Sequence, residues 1–211
     1  FGNLVCCSAS LWAAAWACQV RGCEVGNLEL AWLIPLSLIG TVCGWLYFVS
    51  EHASEALAHA IGERPVVKAM LAGLALAICG TVLPYTMFAG ETQADVLMET
   101  YLTIPAGVLI ATGLVKAMLT PALINMGWRG GHFFPVIFSG VSLGYGLAIL
   151  TGADPVFCVA VCTASTMGAV MRQPVMVVGL LLMCFPLKGI VCMIIAAVIA
   201  AGIPLPKSLR K

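Results

Sequence analysis

Gly130-Gly131-His132-Phe133-Phe134-Pro135 runs straight into Val136-Ile137-Phe138-Ser139-Gly140-Val141-Ser142-Leu143-Gly144-Tyr145-Gly146, and this stretch decides how the chain is read. Two adjacent glycines let the backbone bend tightly and approach a ligand closely. Pro135 falls in the first turn of a helix, where its missing N–H is harmless. The helix that follows is apolar and carries Ser139, Gly140, Ser142, Gly144 and Gly146, small residues that let helices pack closely in lipid. A helix start at membrane depth presents unpaired backbone N–H groups and the positive end of the macrodipole. Such a start holds an anion without a fixed positive charge, and weak binding of that kind suits an ion that must also leave. The same residues also fit a plainer reading, a glycine-rich loop ahead of an ordinary helix.

Composition places this helix in a membrane. Only 9% of the 211 residues are charged and 62% are hydrophobic, with a mean hydropathy of +1.07. A soluble domain carries roughly a quarter charged residues, so most of this surface faces lipid or protein. Uncharged runs cover residues 1–20, 30–50, 69–90, 133–153, 155–171 and 189–206, and several reach the ~20 residues that a bilayer core demands of a helix. The first run lacks a basic segment ahead of it and opens apolar at Phe1, unlike a signal peptide, and reads as part of something longer. The net charge of +1 gives no case for nucleic acid. Lys207, Arg210 and Lys211 follow the last apolar run directly, which places the C-terminus in the cytoplasm by the positive-inside rule.

Glycine, proline and charge divide the chain into helices. Arg21, Glu24, Gly26, Asn27 and Glu29 separate a first helix from a second that runs from about 30 past 50. That second helix ends in Glu51, His52, Glu55, His59 and Glu63, spaced as one polar face emerging from the membrane. Further helices are expected at 66–83, 103–122, 134–150, 155–170, 174–185 and 188–201, with Glu91, Asp95 and Glu99 in an acidic connection. Pro105, Pro121, Pro135, Pro155, Pro174 and Pro186 open or interrupt these segments. Uniform spanning helices have no need of such breaks. Tilted helices that end inside the membrane do, and such ends usually border a substrate path.

Other chemistry is weakly represented. All ten cysteines except Cys23 lie in apolar runs, with no CxxC pair, and are expected to pack as small hydrophobes. His52, Glu55 and His59 admit a metal site, but a solvated helical face accounts for them; no metal and no cofactor is expected. Nothing resembles a nucleophile–base pair, so no enzyme is expected. Lys116, near the end of its helix, Arg172 and Lys188 read as interfacial anchors. Gly40 and Gly44, four apart, form a small-xxx-small face expected to serve a dimer.

Gly130-Gly131-His132-Phe133-Phe134-Pro135 resembles the GGxFxP motif of CLC chloride channels and transporters. Lys116 and Thr120 precede it at the spacing of a basic residue and a threonine in that family. Met167-Gly168-Ala169 followed by Arg172-Gln173-Pro174 resembles the family's MGA…RxP segment. The resemblance covers nearly the whole chain. It implies an all-α integral membrane fold, a CLC-type bundle of tilted and broken helices, of which this chain holds the second inverted repeat and the end of the first. Residues 1–65 would close the first half and carry the long helix, and residues 66–211 would form the second half within a single transmembrane domain. It further implies voltage-gated chloride channel or proton–chloride exchanger activity in a homodimer, with a missing N-terminal half of the same protein completing each path. Chloride or a similar small anion would meet the backbone amides of Gly131, His132, Phe133 and Phe134. Gly130 and Pro135 would set the helix start, and Gly168, Ala169, Arg172 and Pro174 would support it.

The chain departs from that pattern in places. The family's GSGIP and GREGP motifs are absent, and with them the gating glutamate; Glu63 in Gly62-Glu63-Arg64-Pro65 lies in a connection and does not replace it. Pro206 stands where the family has an anion-facing tyrosine in a GxPLY-like segment, here Gly202-Ile203-Pro204-Leu205-Pro206. Glu24 is not assigned to the internal proton glutamate of the family's exchangers. His132 fills the variable position of GGxFxP, where it is either a titratable group beside the path or a packed imidazole. A transport-incompetent CLC-like fragment, a membrane scaffold, or a transporter of another anion remains the alternative.

Overall fold

A computed structural model describes residues 27–62, 64–86, 97–182 and 190–204. Its helices are α1 (Asn27–Ile61), α2 (Pro65–Val82), α3 (Ala106–Asn125), α4 (Phe133–Thr151), α5 (Pro155–Met171), α6 (Pro174–Leu181) and α7 (Ile190–Gly202). Short 3-10 turns lie at Pro84–Thr86 and Tyr101–Thr103. The segments carrying Glu24, Glu63, Glu91, Asp95, Lys188, Pro206 and the three C-terminal cations lie outside the described residues. So do the expected first helix and Cys6, Cys7, Cys18, Cys23 and Cys184.

Pro155 and Pro174 start helices as expected, and Pro65, expected in the connection before residue 66, starts one as well. Pro65, Pro155 and Pro174 each sit in a first helical turn, where φ is already suitable and no intrahelical donor is lost. At α5 the Asp154 carboxylate accepts the amides of Val156 at 2.7 Å and Phe157 at 3.2 Å, a side-chain N-cap. α1, α2, α3 and α4 are long and apolar enough to cross a membrane, while α5 and α7 are shorter apolar helices. The 35 residues of α1 span ~50 Å at ~1.5 Å each, well beyond the ~30 Å hydrocarbon core. The excess is its polar end, where His52 and His59 are exposed and Ser54 is buried.

Every residue of α4 from Val136 to Ala148 is buried, and so is every residue of α5 from Phe157 to Ala169. These two helices are the centre of the bundle. Gly140 lies on Thr163 and Gly144 on Val159, whose Cα a Cβ at Gly144 would meet at 2.5 Å. The rising and falling numbers show an antiparallel pair with backbones in near contact. Gly113 of α3 presses on the Ser139 carbonyl of α4, and Ser142 Oγ donates to Leu109 O at 2.8 Å. Gly168 of α5 presses on the Ala197 carbonyl of α7.

Gly40 and Gly44 correct an expectation. They form no outward dimer face. A Cβ on Gly40 would collide with Ser165 and come within 2.9 Å of the Cys162 carbonyl, and one on Gly44 would lie 2.5 Å from Ala169 Cβ. The small residues of α1 seat it parallel on α5 within this chain. Cys43, Cys158, Cys162 and Cys192 are buried in the same packing.

The pairings set a common polarity. The C-terminal ends of α1, α3, α5 and α7 and the N-terminal ends of α2, α4 and α6 share one face of the bundle. α2 does not return fully across it: the turn at Pro84–Thr86 meets Lys116, halfway along α3. α2 thus ends against the middle of α3, short of the opposite face.

Candidate anion site

α4 starts after an exposed glycine loop. The last turn of α3 closes with Trp128 N–H to Leu123 O at 3.1 Å and Gly127 N–H to Ile124 O at 3.0 Å. Gly127 at φ +97 supplies the left-handed residue that this helix ending requires. Gly130 and Gly131 are exposed, and an added Cβ at either would meet nothing within 4 Å. His132 is the N-cap residue of α4, and no side chain caps the helix. Its ring instead stacks on Phe133, centroids 4.7 Å apart. The first backbone bond of the helix is Val136 N–H to His132 O at 3.2 Å. The amides of His132, Phe133 and Phe134 therefore precede the intrahelical ladder, at the positive end of the dipole.

A cavity of about 330 Å³ adjoins this start. Gly130, Gly131 and Pro135 form one part of its wall, and Lys116, Thr120, Thr86, Trp128 and Arg129 another. Leu76, Leu119, Leu123 and Ile124 complete it. His132, Phe133 and Phe134 are not among the residues of the wall. Gly168 and Ala169 lie deep in α5 against α7 and α1, away from the cavity. Arg172 and Pro174 border a separate cleft with Gln173, Val175 and Met176. The structure thus brings together the glycine half of the expected site and separates the supporting segment from it.

Lys116 is the residue that sequence reasoning undervalued. It is not near a helix end but midway along α3, and only 4% of it is exposed. Its ammonium donates to Thr86 O at 2.6 Å and lies 5.8 Å from the Phe138 ring centroid, close enough for a cation–π contact. A lysine buried at this depth is costly unless it has a function or partners. Thr120, one turn on, returns its hydroxyl to the Lys116 carbonyl at 2.8 Å. The signal was available, since Lys116 and the glycines lie at the spacing noted above.

Arg172 is also more than an interfacial anchor. It ends α5 in the left-handed region at φ 54, and its Nη2 donates to Ile203 O at 3.2 Å, just past the end of α7. Among the described residues, no group of three or more His, Cys, Asp or Glu is placed to hold a metal ion. Glu55 and His59 instead edge a shallow depression with Lys68 and Asn125.

Comparison with known proteins gives a consistent placement. The family model described as voltage gated chloride channel matches residues 4–204. The fold is similar to a solved structure, "Crystal structure of a CLC-type fluoride/proton antiporter", with a TM-score of 0.71 and 20% sequence identity. That match covers 87% of this chain and 46% of the antiporter's, so this chain spans about half the length of the protein it resembles. No curated protein matches it. With a bundle of broken apolar helices, a glycine-led helix start beside a buried lysine, and a family match along nearly its whole length, the chain belongs to the voltage gated chloride channel (CLC) family.

Proposed function

We propose that this chain forms one half of a transmembrane anion pathway in a CLC-type chloride channel or proton–chloride exchanger. The observation that carries this reading is that Lys116 borders the same cavity as Gly130, Gly131 and Pro135, which flank the uncapped start of α4. A buried ammonium attracts an anion, and the amides at Gly131, His132, Phe133 and Phe134 hold it weakly enough for release. Gly130 and Pro135 shape the start, and Gly168, Ala169, Arg172 and Pro174 hold the helices behind it. The work is transport, not catalysis. Because the chain spans 46% of the antiporter it resembles, the opposite wall would come from an N-terminal half of the same protein.

The charges support an orientation. Arg64, Lys68, Arg129 and Arg172 all lie on the face where α4 begins, while Glu99 and Asp154 lie at the opposite face. The positive-inside rule favours a cytoplasmic location for the first face, and α7 ends on that face beside Arg172, which supports a cytoplasmic C-terminus. Exposed apolar residues of α6 and α7, among them Val175, Val191 and Val198, support a homodimer through those helices.

The test is anion efflux from liposomes holding the full native protein. Gly131→Leu fills the cavity mouth where a Cβ meets no atom, so the protein should fold and flux should fall at least tenfold. Unchanged flux would remove the site from the pathway, and no anion flux from the native protein at any pH would leave the scaffold reading. A second anion is favoured by Pro206 in place of a hydroxyl and by the neighbour described as a fluoride/proton antiporter. Parallel chloride and fluoride efflux decides between them.

A further inference from the structure

Asn125 stands at the last turn of α3, directly before the loop that leads to the anion site. Its Nδ2 donates to Glu51 O at 3.0 Å and to Ser54 Oγ at 2.8 Å, both on α1. Ser54 is buried there, and its hydroxyl donates to the same Glu51 carbonyl at 3.0 Å. One side chain thus ties the end of α3 to one turn of α1.

The loop that follows has little to hold it in place. An added Cβ at Gly130 or Gly131 would meet no atom within 4 Å, and His132 leaves the α4 start uncapped. The C-terminal end of the loop is fixed because α4 is buried against α5. The other end is fixed only as well as the last turn of α3. The amides of Gly127 and Trp128 are bonded back to Ile124 and Leu123, so Trp128, part of the cavity wall, moves with the turn that Asn125 pins.

We propose that Asn125 is a positioning residue for the anion site: by clamping α3 to α1 at Glu51 and Ser54 it sets where the loop 127–131 enters and so how the α4 amides face the cavity. The proposal rests on the anion-pathway reading. It differs from a plain packing role in what it changes. Ser50 Oγ makes a comparable bond from α1 to α3, donating to Met118 O at 2.6 Å, but two turns away from the loop. If Asn125 only joined helices, the two bonds would be equivalent in effect.

The experiment measures anion flux against anion concentration for the full native protein in liposomes, normalised to folded protein. Asn125→Leu keeps the volume and removes both donors. It should raise the half-saturating anion concentration at least threefold. Ser50→Ala should lower the melting temperature while leaving half-saturation as in the parent. Ser54→Ala, a milder change on the opposite helix, should shift half-saturation in the same direction, and decides the matter if Asn125→Leu does not fold. A shift in melting temperature alone for Asn125→Leu or Ser54→Ala, or an equal shift in half-saturation for Ser50→Ala, overturns the proposal. Parent protein without anion flux fails the pathway reading itself, an outcome distinct from normal flux with unshifted half-saturation.

Discussion

The ammonium of Lys116 lies 2.6 Å from the carbonyl oxygen of Thr86, so the turn that ends α2 and the middle of α3 are held together by a buried cation. A hydrogen bond to a charged group is worth about 1.5–3 kcal/mol, and the same charge borders the cavity at the start of α4. The two roles separate on substitution. Lys116→Met keeps the length and apolar stem but removes the charge. It should weaken anion binding about tenfold, equivalent to about 1.4 kcal/mol. Lys116→Arg, which keeps the charge, should retain most of the binding. Isothermal titration or flux saturation in the full protein checks both, and equal affinity for Lys116→Met and the parent would remove the cation from the site.

Gly40 and Gly44 seat α1 on α5, and this predicts a folding defect in place of a dimer defect. Gly40→Ala and Gly44→Ala push a methyl group into Ser165 and Ala169, an overpacking that typically costs 1–3 kcal/mol. Gly73, in the interior of α2, has open space at its Cβ. There the same substitution should stabilise by up to ~1 kcal/mol through reduced freedom of the unfolded chain. Thermal unfolding in detergent distinguishes them: lower melting at 40 and 44, equal or higher melting at 73.

Arg172 combines an unfavourable backbone with a useful side chain. Its left-handed φ of 54 costs a non-glycine residue roughly 1–2 kcal/mol, and its bond to Ile203 O offsets this. Arg172→Ala loses the bond and keeps the strain, whereas Arg172→Gly loses the bond and relieves the strain. The glycine variant should therefore be more stable than the alanine variant by about 1 kcal/mol, against the usual order within helices. Melting curves of the two variants settle it, and alanine above glycine would mean the strain is absent.

Much of this architecture was legible because proline and glycine act locally. Pro65, Pro155 and Pro174 mark helix starts in any environment, and the residues Gly130 to Pro135 announce a bend and a new helix by their own geometry. Helix ends were less legible: α3 starts three residues after the expected 103 and runs three past the expected 122, through Pro121 to Asn125, because neighbouring helices in a membrane bundle accommodate an internal proline. Lys116 was misplaced for the same reason, since its depth depends on where α3 begins and ends. Gly40 and Gly44 show a further limit. A small-residue face states that something approaches closely, but the partner helix, α5 here, is 120 residues or so further along the chain and leaves no mark at positions 40 and 44. Asn125 gave no signal at all, because its importance arises only from the turn of α1 it touches.

The homodimer proposed above is then left with α6 and α7 for its face. Val191, Ile194, Ile195 and Val198 fall at helical spacing on one side of α7, and all four are exposed, while Cys192, Met193, Ala196 and Ala197 on the other side are buried within the bundle. Lipid solvates such a face as readily as a partner helix, so association must come from shape and packing, not from burial of apolar area. A shape-dependent interface is sensitive to bulk. Val198→Trp should shift the protein from dimer to monomer without lowering its melting temperature, since the side chain points away from its own core. Mass determination in detergent, alongside single-molecule counting in liposomes, measures the shift. Efflux per subunit should persist in the monomer if each chain lines its own path. A dimer that survives Val198→Trp and an equivalent Val191→Trp would place the interface elsewhere.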